Sequence, residues 1–148
     1  MGYYMRYIVS DEQPIALNEL KNFLKQLDGR YKFEGDDGES IADVIYADEP
    51  YGQIEINVPG DGLFEEEIGE LVEFVEDVEG PNKQRVLGAL RGAKSIFCIQ
   101  VLFGGREANE TLTKLDPIWN WCFQNKEGLL QAGGEGYYDK TGLILEVQ

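Results

Sequence analysis

The order strand, helix, strand, strand can be read twice along this chain, and that doubling limits its fold more than any single motif. Residues Tyr3–Val58 and Ser95–Val147 each carry it, over 56 and 53 residues. Each unit closes on a similar hairpin. The first runs through Tyr46-Ala47-Asp48-Glu49-Pro50-Tyr51-Gly52 into Gln53–Val58, the second through Tyr137-Tyr138-Asp139-Lys140-Thr141-Gly142 into Leu143–Val147. A repeated βαββ unit leaves a cleft or an open sheet face between its halves, where a ligand or partner would sit.

Side-chain periodicity supports the element order. Tyr3–Val9 is aromatic and β-branched, as a strand requires. Asp11-Glu12-Gln13-Pro14 can open a helix, with Pro14 near its first turn. Leu17, Leu20, Phe23, Leu24 and Leu27 then follow at spacings of three and four, one apolar helix face ended by Asp28-Gly29. Tyr31–Glu34 is a short strand, Gly35-Asp36-Asp37-Gly38 an acidic turn, and Ile41–Tyr46 with Gln53–Val58 a hairpin. In the last of these Ile54, Ile56 and Val58 alternate with Glu55 and Asn57, one dry face and one wet. Ser95–Phe103 is apolar on both faces, which predicts a central strand. A helix follows over about Asn109–Asn125, with Asn109 as its cap and Asp116-Pro117 able to kink or restart it. Leu129–Ala132, Gly136–Asp139 and Leu143–Val147 complete the strands.

Between the units lies a connector over residues 61–94. Leu63–Val78 predicts a helix with an apolar stripe of Phe64, Ile68, Leu71, Val72, Val75 and Val78. Asn82–Ala93 predicts a second helix, basic through Lys83, Arg85 and Arg91, with Lys94 beyond. The expectation is therefore one α+β domain over residues 1–148, with two βαββ-like repeats forming a mainly antiparallel sheet, helices on one side, and a two-helix connector. This element order is similar to the tandem strand–helix–strand–strand modules of GyrI-like ligand-binding proteins. The likeness is one of architecture, with no residue motif to carry it.

Charge is concentrated rather than spread. The net charge is −15, and two segments free of Lys and Arg account for it: residues 36–49 with six acids and residues 61–80 with nine. Elsewhere 13 acids meet 13 bases. Such a field repels phosphate backbones and anionic lipid, which argues against nucleic-acid and membrane partners. It attracts a basic protein or a cationic small molecule. Like charges at i,i+4, such as Glu66/Glu70 and Glu73/Asp77, cost roughly 0.2–0.5 kcal/mol per pair on a helix. Either the basic helix lies alongside and offsets them, or the acidic face turns outward as a docking surface.

Catalytic signals are weak. The chain has no histidine, hence no imidazole base or metal ligand, and its two cysteines cannot build a four-ligand zinc site. Cys98 and Cys122 lie in apolar runs without a neighbouring base, as buried inert thiols do. Asp139-Lys140-Thr141-Gly142 resembles the start of the aspartyl-phosphate motif of P-type ATPases, but its position between two strands makes it a hairpin turn. Gly133-Gly134-Glu135-Gly136 lacks the Lys-Ser/Thr and helix of a phosphate loop and is expected to be a bend. Gly104-Gly105-Arg106 joins a strand to a helix and is the better anion candidate. Asp36-Asp37-Gly38-Glu39 misses EF-hand spacing. No leader or membrane-length apolar run is evident, so a cytoplasmic protein with reduced thiols is expected.

Two functional readings follow. The first is a non-catalytic interaction module of the immunity or inhibitor type, docking a basic protein through Glu66, Glu70 and Glu73. Trp121 is its aromatic anchor, unless it joins Trp119 in the core. The second is a small-molecule site between the repeats, lined by Tyr46, Glu135, Tyr137 and Tyr138 and suited to a cationic or amphipathic ligand. No metal or cofactor is expected, and self-association is left open.

Overall fold

The computed structural model describes residues 2–35 and 40–147. Eight strands form one sheet: β1 (Tyr3–Val9), β2 (Tyr31–Glu34), β3 (Ile41–Tyr46), β4 (Glu49–Asn57), β5 (Ser95–Val101), β6 (Gly128–Ala132), β7 (Gly136–Asp139) and β8 (Gly142–Glu146). Four helices accompany them: α1 (Leu17–Leu27), α2 (Leu63–Glu76), α3 (Lys83–Arg91) and α4 (Ala108–Asn125). The strand order is β2-β3-β4-β5-β1-β6-β7-β8, and every neighbouring pair is antiparallel. The chain is thus α+β with an antiparallel sheet. No described helix is long and apolar enough to cross a membrane.

The centre of the sheet is the pair β1–β5, in register from Tyr3 opposite Val101 to Val9 opposite Ser95. β5 is buried on both faces almost throughout and β1 from Tyr7 to Val9, which explains their apolar runs. The strands that follow α1 and α4 reach this centre from different ends. β4, the last strand of its meander, pairs with β5, whereas β6, the first of its own, pairs with β1. The crossover β5–α4–β6 therefore steps over one strand, β1, while β1–α1–β2 runs out to the far edge.

Alternation along the central strands divides the core in two. Tyr7, Val9, Phe97 and Ile99 pack with Leu20 and Leu24 of α1 and with Leu115, Ile118, Trp119 and Cys122 of α4. Ile8, Ile96 and Cys98 pack instead with Phe64, Leu71 and Val75 of α2 and Val86, Leu87 and Leu90 of α3. Side chains of consecutive strand residues point to opposite faces, so the four helices lie on both sides of the sheet. This corrects the expectation of helices on one side. A strand apolar on both faces must be covered twice, and α2 and α3 supply the second cover.

Three local expectations also change. Residues 11–16 are not helical and α1 begins at Leu17, with Ala16 extended. Pro14 biases the preceding residue away from helix, and burying Ile15 holds the lead-in against the core. Strand β4 starts at Glu49, because Ala47 and Asp48 alone make the turn, both at positive φ (51° and 67°). Pro50 then falls at a register shift opposite Ile45, a bulge that accommodates a residue without an N–H. Helix α4 runs through Pro117 unbroken; its N-cap is Glu107, so Asn109 lies inside the helix instead of capping it. The turn over residues 35–38 and the Asp36–Glu39 cluster lie mostly outside the described residues.

Candidate functional site

One wall of the main aromatic cleft is a face of α4. Leu112, Asp116, Trp119, Asn120, Phe123 and Gln124 recur at helical spacing and line it. Its floor is the sheet: Tyr3 and Met5 of β1 beside Leu130 and Ala132 of β6, which pair directly. Glu135 and Tyr138 close one end, and the turn from Asp139 to Gly142 forms the rim. The space enclosed is about 800 Å³, within the usual size of small-ligand pockets.

Glu135 is held in this cleft by both its backbone and its side chain. It sits in the tight connection between β6 and β7. Its N–H donates to the Ala132 carbonyl at 3.1 Å, and its own carbonyl accepts from the Val147 N–H at 2.9 Å. Gly136 beside it has a φ of 154°, and a side chain there would run into the Leu145 carbonyl. Only glycine fits such a position, so the bend that presents Glu135 is written into the sequence. At the carboxylate, the Tyr3 hydroxyl donates to Oε2 and the Tyr138 hydroxyl to Oε1, each at 2.9 Å. Burial and this acidic partner push both phenols up from their ordinary range, so they stay neutral donors. The Tyr3 ring meets Phe103 edge-on at 5.9 Å, which steadies it.

The other acids are held differently. Asp139 accepts from the Thr141 hydroxyl and N–H and from Arg85 of α3 at 2.9 Å. These bonds hold its carboxyl down at about 2. Asp116 is open to solvent at the cleft, yet partial burial among its neighbours disfavours its ionised form and raises its pKa. Lys140 on the rim is exposed and makes no ion pair among the described residues. Trp119 is almost wholly buried, edge-on to Phe97, and its indole N–H has no acceptor among the described residues.

Of the four residues expected to line a ligand site, Glu135 and Tyr138 meet in this cleft. Tyr46 and Tyr137 do not. Tyr46 is buried in a tyrosine cluster with Tyr31 and Tyr51, its hydroxyl donating to Asp28 at 2.8 Å. Tyr137 points to the opposite face and packs with α2 and α3. Adjacent strand residues cannot share a face, so pairing Tyr137 with Tyr138 was geometrically excluded. The cleft is lined mostly by residues 112–142, with Tyr3 and Met5 of β1 in its floor. Tyr3, Asp116 and Phe123 also line the cleft, beyond the residues to which the sequence points. The α4 periodicity carried a signal for Asp116 and Phe123, but nothing local set Tyr3 beside Glu135, 132 positions away.

Trp121 is a correction. It is buried in the core and cannot anchor a partner on the surface. Helix α4 is buried on more than one side, with α1 beside it, so Trp119 and Trp121 both lose solvent. Glu66, Glu70 and Glu73 are exposed on α2. Their helix does lie against α3: Arg91 pairs with Glu76 at 3.0 Å, and Lys83 with Glu79 at 3.5 Å. Other acids of the segment have structural work. Asp61 accepts the Phe64 N–H at 2.7 Å, Glu65 accepts the N–H groups of Gly60 and Gly62, and Glu67 pairs with Arg6. Glu66, Glu70, Glu73 and Asp77 are left without an ionic partner among the described residues.

The remaining candidates are structural. Arg106 donates to the carbonyls of Pro50 and Leu102 and stacks at 3.8 Å on Tyr51, so its guanidinium fastens the loop and is not offered to an anion. Asp139–Gly142 is the hairpin turn between β7 and β8. Both cysteines are buried, and burial pushes the Cys98 thiol up to about 12 and the Cys122 thiol likewise upward. Among the described residues no three acid or cysteine side chains gather as metal ligands. No protein-family model, curated protein or solved structure matches this chain.

Proposed function

We propose that this is a small-molecule-binding protein whose site is the cleft between α4 and the sheet, built from the second βαββ-like unit on a floor of the first. The observation that carries this reading is a carboxylate, Glu135, held by two tyrosine hydroxyls at the end of an aromatic and aliphatic trough. Binding pockets combine that kind of apolar lining with a few fixed polar groups. The second concavity, about 1290 Å³ between the start of α1 and strands β2–β4, lacks such a centre among the described residues. The test is ligand titration followed by tryptophan fluorescence, with Trp119 in the wall and Trp121 in the core. Asn120→Trp, at an exposed position on that wall, is expected to abolish binding without loss of fold; unchanged affinity in this variant rules out the cleft.

A second reading is favoured by one surface. Glu66, Glu70 and Glu73 share a face of α2 with Phe74, which is 65% exposed. Such a face suits a basic protein partner with an apolar contact at its centre. Association with that partner should weaken steeply with salt, and reversing all three charges should remove it. Association indifferent to both would discard this reading.

A further inference from the structure

Three acids line the cleft, and their surroundings separate their roles. Asp139 is already neutralised by Arg85. Asp116 has no hydrogen-bond partner among the described residues, and its site disfavours the charge. Glu135 alone is both fixed and unneutralised among the described residues: its two bonds come from neutral phenols, and it has no ion pair. Each oxygen of an ionised carboxylate offers two acceptor positions. With one taken on each by a tyrosine, Glu135 keeps one on each. The rings of Tyr3 and Tyr138 stand beside that charge and the apolar floor runs away from it.

We propose, resting on the cleft as the ligand site, that its ligand is a protonated amine: the ammonium donates to Glu135, and an apolar body lies along Met5, Leu130, Ala132 and Phe123. A bond between an ammonium N–H and a carboxylate is roughly twice as strong as one between neutral groups. A quaternary ammonium has no N–H to give and would retain only charge attraction and contact with the aromatic faces. An anion meets the unneutralised Glu135, and the one lysine of the lining, Lys140, stands at the exposed rim. Lys140 is exposed and pairs with no acid among the described residues, so at the rim it only repels an incoming ammonium.

The experiment is calorimetric titration of the full chain with four probes sharing one phenylbutyl body: 4-phenylbutylamine, its trimethylammonium derivative, 4-phenylbutanol and 4-phenylbutyrate. The amine is expected to bind about tenfold more tightly than the quaternary ion or the alcohol, a ratio in keeping with one charge-assisted hydrogen bond. The butyrate is expected not to bind. Glu135→Gln, which preserves the acceptor for one tyrosine, should lower amine affinity about tenfold and leave the alcohol unchanged. Lys140→Gln should raise amine affinity by a few fold, and the double variant Tyr3→Phe with Tyr138→Phe should fall between Glu135→Gln and wild type. Thermal melts of each variant separate lost binding from lost fold. An amine no tighter than the alcohol or the quaternary ion, or one indifferent to Glu135→Gln, overturns the amine proposal. If Asn120→Trp still abolishes alcohol binding in that case, the cleft survives as the site. Failure of all four probes to bind overturns both.

Discussion

The two faces of the sheet are built from the same central strands yet do different things with polar groups. On the α1/α4 side the buried hydroxyls of Tyr7 and Tyr31 reach backbone carbonyls of Lys126 and Lys114, and the polar side chains of the cleft face open space. On the α2/α3 side polarity is turned inward. Arg6 lies between Glu67 of α2 and Gln131 of β6, while Asn57 donates to Glu67 at 3.1 Å, all at the boundary of the second core. One face thus leaves a carboxylate uncompensated beside an apolar trough, and the other uses its charges to fasten a helix. Polarity that is satisfied internally reads as structure; polarity fixed in place but left with its charge reads as a site.

That comparison can be broken most forcefully in the α4 core. Phe97→Ala removes the ring packed edge-on to Trp119 at 5.8 Å and should cost about 3–5 kcal/mol in urea unfolding. A loss below about 1 kcal/mol would mean this face is not a packed scaffold for its cleft. On the opposite face, Arg6→Ala strands Glu67 and Gln131 at a half-dry boundary. It should cost about 1–3 kcal/mol, less than a fully buried pair because both side chains keep some solvent. Replacing Arg6 and Glu67 together by Met and Leu should recover most of that loss; if the double variant is as unstable as the single one, the pair is not what fastens α2.

Smaller effects sharpen the contrast between the two hairpins that the sequence made look alike. In the β3–β4 turn Ala47 carries a left-handed backbone that favours Asn or Gly. Ala47→Asn should therefore raise stability by about 0.5–1 kcal/mol, read as a higher melting temperature. In the β7–β8 turn the bonds to Asp139 hold its carboxyl at about 2, below the ordinary value of about 3.9. A carboxyl held down stabilises the fold above the ordinary value, and that contribution is lost as pH falls from about 4 to about 2. Because the group is near the surface, the whole effect should stay under about 1 kcal/mol. Asp139→Asn should flatten this part of the stability–pH curve, and an unaltered curve would show that the Arg85 and Thr141 bonds do not persist in solution.

Much of the fold was legible where local rules suffice. The apolar runs of β1 and β5 announced central strands, and Lys140-Thr141 between β7 and β8 announced a tight turn. The start of α1 was misread because the acidic stretch before Pro14 imitates a helix opening, while burial of Ile15 decides otherwise. The start of β4 was misread because Ala47 is an unusual turn residue that only the surrounding ladder can hold. Of the candidate site, Glu135 and Tyr138 were visible as an acid and an aromatic in a glycine setting. Their third partner, Tyr3, was not, because it comes from the other end of the chain.

By itself the sequence determined the class of this protein, the list of its strands and helices, and the glycine bend that carries Glu135. These depend on periodicity, turn chemistry and φ, which act over a few residues. Only the tertiary structure decided which helix covers which face, that Trp121 is core, and that Tyr3, Glu135 and Tyr138 converge beside α4. Strand order and register are set by the joint burial of distant apolar faces, and no local pattern encodes which of those faces will meet.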